Sequence, residues 1–480
     1  MNYRYILNII GKILIILSIL LLLPFFVSIY YKENILPFIY TIIITLIIGS
    51  LLLSIKVKRY DYYRKDGIII TTLSWIIISV LGSLPFILSK SIPNIIDAIF
   101  ETASGFTTTG ASILNNIEIL PKGILFWRSF THWIGGMGIL IFVLAILPIA
   151  NNNSMHVAKA EMPGPFKDKI SPKLNNTAKW LYIMYIILTL LEIIILYFNK
   201  MPLFDSVLTS FGTAGTGGFG IKNTSIAFYN SNAIEYIVSI FMLLFGINFN
   251  VYFYLILRKY KTAFKNQEMR FYLLLVLIST ILVTINILPI SKNIEESFRL
   301  SFFQVSSIIT TTGFSTTDFN LWPQFSKTIL LILMLFGACG GSTGGGIKIS
   351  RIIIIFKKIY YDGLKLIHPN ITKKIKFENN TLSDTTINNI GYFFILYFVL
   401  LFLITLIVSL NNFDFETTFS SVVSCMSNIG PGFNLVGPTS NFSIFNNISK
   451  VTLTIAMILG RLELYPILLL LFPKSFLTKK

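Results

Sequence analysis

The chain reads as an all-α membrane protein: two leading transmembrane helices, then four pseudo-symmetric helix–pore loop–helix repeats around one central pore. Three observations predict this. Apolar stretches of bilayer length recur along the whole chain. Four partly apolar segments too short to span lie between them. Each short segment ends in a related Ser/Thr/Gly motif.

Hydrophobic residues make up 54% of the chain and charged residues 12%, and the mean hydropathy is +0.74. Ordinary soluble domains carry about 25% charged residues, and a helical span needs about 20 mostly apolar residues. Spans are expected over 6–29, 36–55, 68–89, 125–149, 180–199, 234–257, 271–290, 328–356, 388–410 and 450–472. The first apolar run is long and lacks a small-residue cleavage site, so it reads as a span and not as a removable signal. The formal charge of +18 would suit nucleic acid, but its placement argues against that partner. Lys56, Lys58, Arg59, Arg64 and Lys65 form one short basic loop, and Lys159, Lys167, Lys169, Lys173 and Lys179 a second. Arg258, Lys259, Lys261, Lys265 and Arg270 form a third, and Arg351, Lys357, Lys358, Lys365, Lys373, Lys374 and Lys376 a fourth. The alternate loops carry only scattered cations such as Lys32, Lys200 and Lys222. Lys/Arg excess in short loops marks the cytoplasmic side, so both termini are expected there.

The cation-poor side holds the four short segments, 93–106, 202–214, 295–309 and 413–426. At that length between two spans they read as re-entrant, and re-entrant backbone survives at membrane depth only inside protein or along a water-filled cavity. Their ends align. Ser104-Gly105-Phe106-Thr107-Thr108-Thr109-Gly110 matches Ser307-Ile308-Ile309-Thr310-Thr311-Thr312-Gly313. Gly212-Thr213-Ala214-Gly215-Thr216-Gly217-Gly218 and Ser424-Cys425-Met426-Ser427-Asn428-Ile429-Gly430 follow the same frame. All four have a terminal glycine and a small residue six positions before it. The glycines stand 108, 95 and 117 residues apart, one span–loop–span unit each, and such periodicity decides architecture. The units are 61–155, 156–260, 261–370 and 371–480, after a leading pair of helices in 1–60. The chemistry this suits is coordination of a cation without fixed charge, by rings of backbone carbonyls as in channel filters. Glycine admits the backbone conformations such a strand needs, threonine hydroxyls add oxygens, and the C-terminal end of each short helix favours a cation. Asp97, Asp205, Glu295 or Glu296, and Asp414 sit where the short helices begin. They either concentrate cations at the mouth or complement the helix dipoles; the sequence leaves both readings open.

Two features stand apart. Gly337-Ala338-Cys339-Gly340-Gly341-Ser342-Thr343-Gly344-Gly345-Gly346 interrupts the eighth span. Each interior glycine costs a helix roughly 1 kcal/mol relative to alanine, so this stretch is expected to break and to serve as a mobile plug under the filter. The alternative is a glycine-rich helix contact. Arg461 lies deep in the last expected span, where an arginine costs roughly 2.5–3.5 kcal/mol on insertion scales. It is expected to face the ion path below the filter and to contact the glycine run as an electrostatic barrier. The alternative is a snorkelling or structurally paired arginine.

Phe126-Trp127-Arg128-Ser129-Phe130-Thr131-His132-Trp133-Ile134-Gly135-Gly136-Met137-Gly138 and Ala160-Glu161-Met162-Pro163-Gly164-Pro165, with the two leading spans and the four loops, resemble the Trk/Ktr/HKT potassium transporter superfamily, in particular its TrkH branch. The resemblance covers nearly the whole chain. It implies potassium uptake across a bacterial cytoplasmic (inner) membrane, with potassium bound at Thr108 and Thr109, Thr216 and Gly217, Thr311 and Thr312, and Asn428 and Ile429. It implies filter glycines at Gly110, Gly218, Gly313 and Gly430, and gating by Gly340, Gly341, Gly344, Gly345, Gly346 and Arg461. In this superfamily serine at the first filter glycine accompanies sodium permeability, so Gly110 implies potassium preference. A homodimer with one pore per protomer is implied, as is a cytoplasmic nucleotide-binding regulatory subunit of the TrkA-like kind. No cofactor is implied beyond potassium itself.

Other motifs mislead. Gly215-Thr216-Gly217-Gly218-Phe219-Gly220 matches a dinucleotide fingerprint but lacks the strand–turn–helix context, and 340–346 lacks the Gly-Lys-Ser/Thr ending of a P-loop. Cys339 and Cys425 lie far apart in or beside apolar segments and suggest neither a disulfide nor a zinc site. His132, His156 and His368 are dispersed. No paired carboxylates or Ser/His constellation marks an enzyme. The competing readings are a sodium- or proton-coupled secondary transporter, which would place broken helices at the midplane, and a membrane subunit with no flux of its own.

Overall fold

Long apolar helices set the frame of the computed structural model, which describes residues 3–57, 64–138, 174–369, 374–378 and 380–470. Among these, six helices have the length and hydropathy to cross a membrane: Tyr3–Tyr30, Leu36–Leu53, Asp66–Leu88, Lys179–Phe198, Gln267–Ile290 and Asp384–Asn411. Each coincides with an expected span. The third is 61% buried and the second 28%, so the third lies inside the assembly of helices and the second on its rim. The first two cross closely at small residues, since a Cβ on Gly11 would come within 2.9 Å of Gly49 O. Small residues at crossings are the membrane solution to tight helix packing. Residues 139–149 of the fourth expected span, the motif Ala160–Pro165, His156, and Lys58, Arg59, Lys159, Lys167, Lys169, Lys173 and Lys373 lie outside the described residues.

Two spans expected to be continuous are broken, and both breaks correct the sequence reading. The stretch expected as 234–257 forms Asn232–Gly246 and Phe249–Ile256, bent by 90°. Asn248 caps the second piece by accepting from Asn250 N at 2.9 Å. The glycine run takes up freed backbone groups, with Cys339 N donating to Gly246 O and Phe249 N to Gly341 O, each at 3.1 Å. The last span, expected as 450–472, ends as a helix at Arg461 (Asn447–Arg461) and resumes at Tyr465–Leu470. Glu463 and Leu464 adopt left-handed torsions between the two pieces. Arg461 is therefore the last residue of a helix and not the centre of one. The eighth expected span is interrupted as its glycines require, into Gln324–Leu335 and Ile349–Ile367.

The four short segments form helices Ile95–Phe106, Leu203–Gly215, Ile294–Ile309 and Phe415–Ser427, called pore helices one to four below. Asn94, Asn293 and Asp414 cap three of them by accepting from backbone N–H groups at 2.8 Å, the usual service of an Asn or Asp N-cap. Lys122–Gly136 packs on pore helices one and two, Asn232–Gly246 on two and three, and Gln324–Leu335 on three and four. Asn447–Arg461 packs on four and one, so the sequence of contacts closes into a ring. A small antiparallel hairpin, Lys376–Phe377 with Asn380–Thr381, precedes the span that starts at Asp384.

Candidate functional site

The four loops that follow the pore helices share a backbone design. In each, the residue before the terminal glycine donates its N–H to the carbonyl of the small residue identified in the sequence. Thr109 donates to Ser104 at 2.8 Å, and Gly217 to Gly212, Thr312 to Ser307 and Ile429 to Ser424 at 2.9 Å. The loop folds back over that position, which explains its size limit. A Cβ on Gly212 would sit 2.7 Å from the Phe314 ring, while the Ser307 and Ser424 hydroxyls bond Phe314 O at 2.6 Å and Gly430 O at 2.7 Å. Two positions before each terminal glycine the chain is left-handed: Thr108 at φ 55°, Thr216 at 53°, Thr311 at 59° and Asn428 at 58°. The glycines themselves are left-handed too, Gly110 at 81°, Gly218 at 69°, Gly313 at 83° and Gly430 at 105°.

The loops adjoin one another through backbone. A Cβ on Gly110 would overlap Gly217 O, one on Gly218 would overlap Thr312 O, and one on Gly313 would overlap Ile429 O; on Gly430 it would lie 2.8 Å from Thr109 O. Each terminal glycine thus faces the carbonyl that precedes the glycine of an adjoining loop, and the order closes from fourth to first. Asn428 fastens that closure by donating to Thr109 Oγ1 and Met457 O, both at 2.9 Å. Thr107 with Thr109, and Thr310 with Thr312, pair their hydroxyls at 2.8 and 2.7 Å. Thr108, Thr109, Thr216, Thr311, Thr312, Asn428 and Ile429 are all fully buried. Gly110, Gly218, Gly313 and Gly430 line one open concavity of about 130 Å³.

On the other side of the loops lies the glycine run. Its base is closed by a Phe336–Ile347 bridge and by Gly337 N donating to Ile347 O at 2.7 Å. Its tip meets the loops. Gly345 N donates to Thr311 Oγ1 at 2.7 Å, and a Cβ on Gly345 would lie 2.5 Å from Ser427 O; one on Gly344 would lie 3.0 Å from Thr310 O. Gly340 and Gly341 do not share that position; they sit against Glu268 and Asn248. Gly346 is left-handed at φ 65°. Arg461 joins the parts, donating to Thr108 Oγ1 at 3.1 Å, Thr343 O at 2.9 Å, and Gly135 O and Gly136 O at 2.5 and 2.8 Å. The last two belong to the C-terminal end of Lys122–Gly136, where the helix dipole favours a cation.

The sequence reading missed several residues here. The Glu268 carboxylate accepts from Gly340 N at 2.7 Å and Ser350 N at 2.8 Å, so it pins both arms of the glycine run. Buried Lys348 donates to Gly344 O and Gly345 O. An acid at the start of a span and a lysine after a glycine run look like interfacial charges, and no local pattern marked them. Behind the first and second loops, Glu101 and Arg128 form a buried ion pair at 2.6 Å. The acidic residues at the helix starts are engaged: Asp97 with Lys450 at 2.7 Å, Asp205 with Tyr229 at 2.9 Å, Glu295 with Arg299 at 3.2 Å. At Asp414 burial pushes the carboxyl up, but hydrogen bonds from Thr417 and Asn434 outweigh it and hold the group below the usual range. These contacts favour the structural reading of the acids over that of free charges at the mouth.

A ring of short helices and glycine-rich loops with facing backbone carbonyls, set among apolar spans, defines a multi-pass helical membrane protein. The chain belongs to the TrkH family, described as cation transport protein, whose profile matches residues 34–480. It is 36% identical to the Trk system potassium uptake protein TrkH of Salmonella typhimurium and to that of Escherichia coli K12, in each case over 98% of this chain and 99% of the relative. The crystal structure of the potassium transporter TrkH from Vibrio parahaemolyticus superposes with a TM-score of 0.89 at 30% identity, covering all of both chains.

Proposed function

We propose that the chain conducts potassium into the cell through a filter formed by the four loops, as four repeats around one pore. The observation that carries this is the closed backbone ring: four loops with the same paired left-handed torsions, each glycine facing an adjoining loop's carbonyl. Carbonyls of Thr108 and Thr109, Thr216 and Gly217, Thr311 and Thr312, and Asn428 and Ile429 replace the water shell of the ion, as carbonyl rings do in channel filters. The concavity above the glycines is the outer vestibule. The glycine run is the gate, and Arg461 holds it closed while opposing cations beneath the filter. The repeats follow the boundaries read from the sequence, within the bacterial inner membrane and with both termini cytoplasmic. The chain works as a homodimer, and its basic inner loops take a nucleotide-binding regulatory subunit. The names of the relatives, all potassium uptake proteins, support this reading.

Purified protein in liposomes, tested with potassium, rubidium and sodium, decides it. Potassium and rubidium flux well above sodium flux is expected; equal leakage of all three would refute the filter. One observation keeps proton coupling as a second reading. Glu192 is fully buried in Leu174–Phe198, where its carboxylate faces the Thr213 side chain. Ionisable groups within spans are often relay sites, so a proton gradient belongs in the same experiment.

A further inference from the structure

Resting on the filter reading above, we propose that Glu101, Arg128 and His132 are positioning residues for ion selectivity: a charged clamp in the first repeat that fixes the carbonyls of the second loop. The second loop is the one least able to hold its own shape. Gly215, Gly217, Gly218 and Gly220 fall within six residues, and glycine gives the backbone more freedom than any other residue. Its supports come from outside it. Arg128 Nη1 donates to Gly220 O at 2.8 Å, and the guanidinium lies over the Phe219 ring, 3.6 Å from its centroid. His132, one turn further along the same helix, stacks on Phe219 with ring centroids 4.0 Å apart. Phe219 N donates to His132 Nδ1 at 3.5 Å, and a Cβ on Gly217 would overlap the His132 ring.

Glu101 anchors this clamp to the first loop. Its carboxylate accepts from Arg128 Nε at 2.6 Å, Ser112 Oγ at 2.9 Å and Ile113 N at 2.9 Å. The segment leaving Gly110 and the segment leaving Gly218 are thereby tied to one buried ion pair, Glu101 fully enclosed and Arg128 2% exposed. The two loops adjoin where Gly110 faces Gly217 O, so a shift in the second loop moves a carbonyl of the ring itself. The device is particular to this pair. Glu101 stands nine positions before Gly110, and the residues nine before the other terminal glycines are Thr209, Gln304 and Ser421, none of them charged. Gln304 is buried with no hydrogen-bond partner among the described residues, so the third loop is held differently.

The test is the potassium-to-sodium permeability ratio of the full-length chain in proteoliposomes, with wild type, Arg128→Gln, Arg128→Lys, Glu101→Gln and Phe219→Leu compared at equal protein. Arg128→Gln and Glu101→Gln are expected to lower the ratio roughly tenfold, chiefly through increased sodium flux. Arg128→Lys should recover part of it, and Phe219→Leu, which keeps apolar bulk but removes the ring, should lie between. If Arg128→Gln does not yield a folded protein, Glu101→Gln and Phe219→Leu decide. An unchanged ratio overturns the clamp, as does equal loss of both fluxes, which would mark a scaffold role only. Wild-type vesicles silent to every cation would overturn conduction and the clamp together, an outcome distinct from failure in the variants alone.

Discussion

Thr108, Thr216 and Thr311 hold left-handed torsions, which β-branched residues rarely adopt. Each costs on the order of 1–3 kcal/mol and persists only where the surroundings impose it. Here they recur at one register position in all four loops, with Asn428 in the fourth, so the strain belongs to the loop design. The glycines two residues on cannot be replaced as easily, because their Cβ would meet backbone and not a yielding side chain. Gly110→Ser is expected to lower the potassium-to-sodium permeability ratio by about tenfold, equivalent to about 1.4 kcal/mol; bi-ionic reversal potentials measure it, and an unchanged ratio would contradict the role given to Gly110. Arg461 donates hydrogen bonds that connect the first loop, the glycine run and a helix end. Arg461→Gln should raise basal rubidium uptake severalfold at equal expression, while a fall would show that the arginine supports the open path. The small residue six before each glycine was legible as a pattern. Its purpose, to let the loop fold back onto that carbonyl, became visible only with the hydrogen bonds.

At the scale of elements, the pore helices and the long spans were readable because length and hydropathy determine them. The broken spans were readable only in part. Ten closely spaced positions rich in glycine announced the break at 337–346. The bend at 247–248 carried no such signal, because its apolar run continues through Ile247 and Phe249 and its freed backbone groups are satisfied by the distant glycine run. Glu101 and Arg128 likewise stood in plain sight, 27 positions apart, and neither helix pattern showed that they meet. The glycine run itself depends on Glu268. Alanine there would leave the N–H groups of Gly340 and Ser350 buried and unpaired, at about 1–3 kcal/mol each. Glu268→Ala is therefore expected to speed hydrogen exchange across 337–350 and to raise basal flux, whereas Glu268→Gln, which keeps one acceptor oxygen, should change both much less. Unaltered exchange in the alanine variant would remove Glu268 from the proposed gate.

At the scale of the whole molecule, the contacts from Asn447–Arg461 back to the first pore helix turn a linear chain into a ring. If the ring holds the one filter proposed above, it predicts how the protein handles energy. On the proposed reading the pore has no means of coupling, so accumulation would follow the membrane potential alone. That potential is worth about 2.3 kcal/mol per charge per 100 mV, and so sets a ceiling of roughly 50-fold accumulation at 100 mV, inside negative. Vesicles holding the purified chain at a clamped potential should approach that ratio of rubidium and stop there, with or without a sodium or pH gradient. Glu192→Gln should leave the endpoint untouched. Accumulation beyond the ceiling that needs a proton gradient, and that vanishes in Glu192→Gln, would instead establish coupling through the buried carboxylate in Leu174–Phe198.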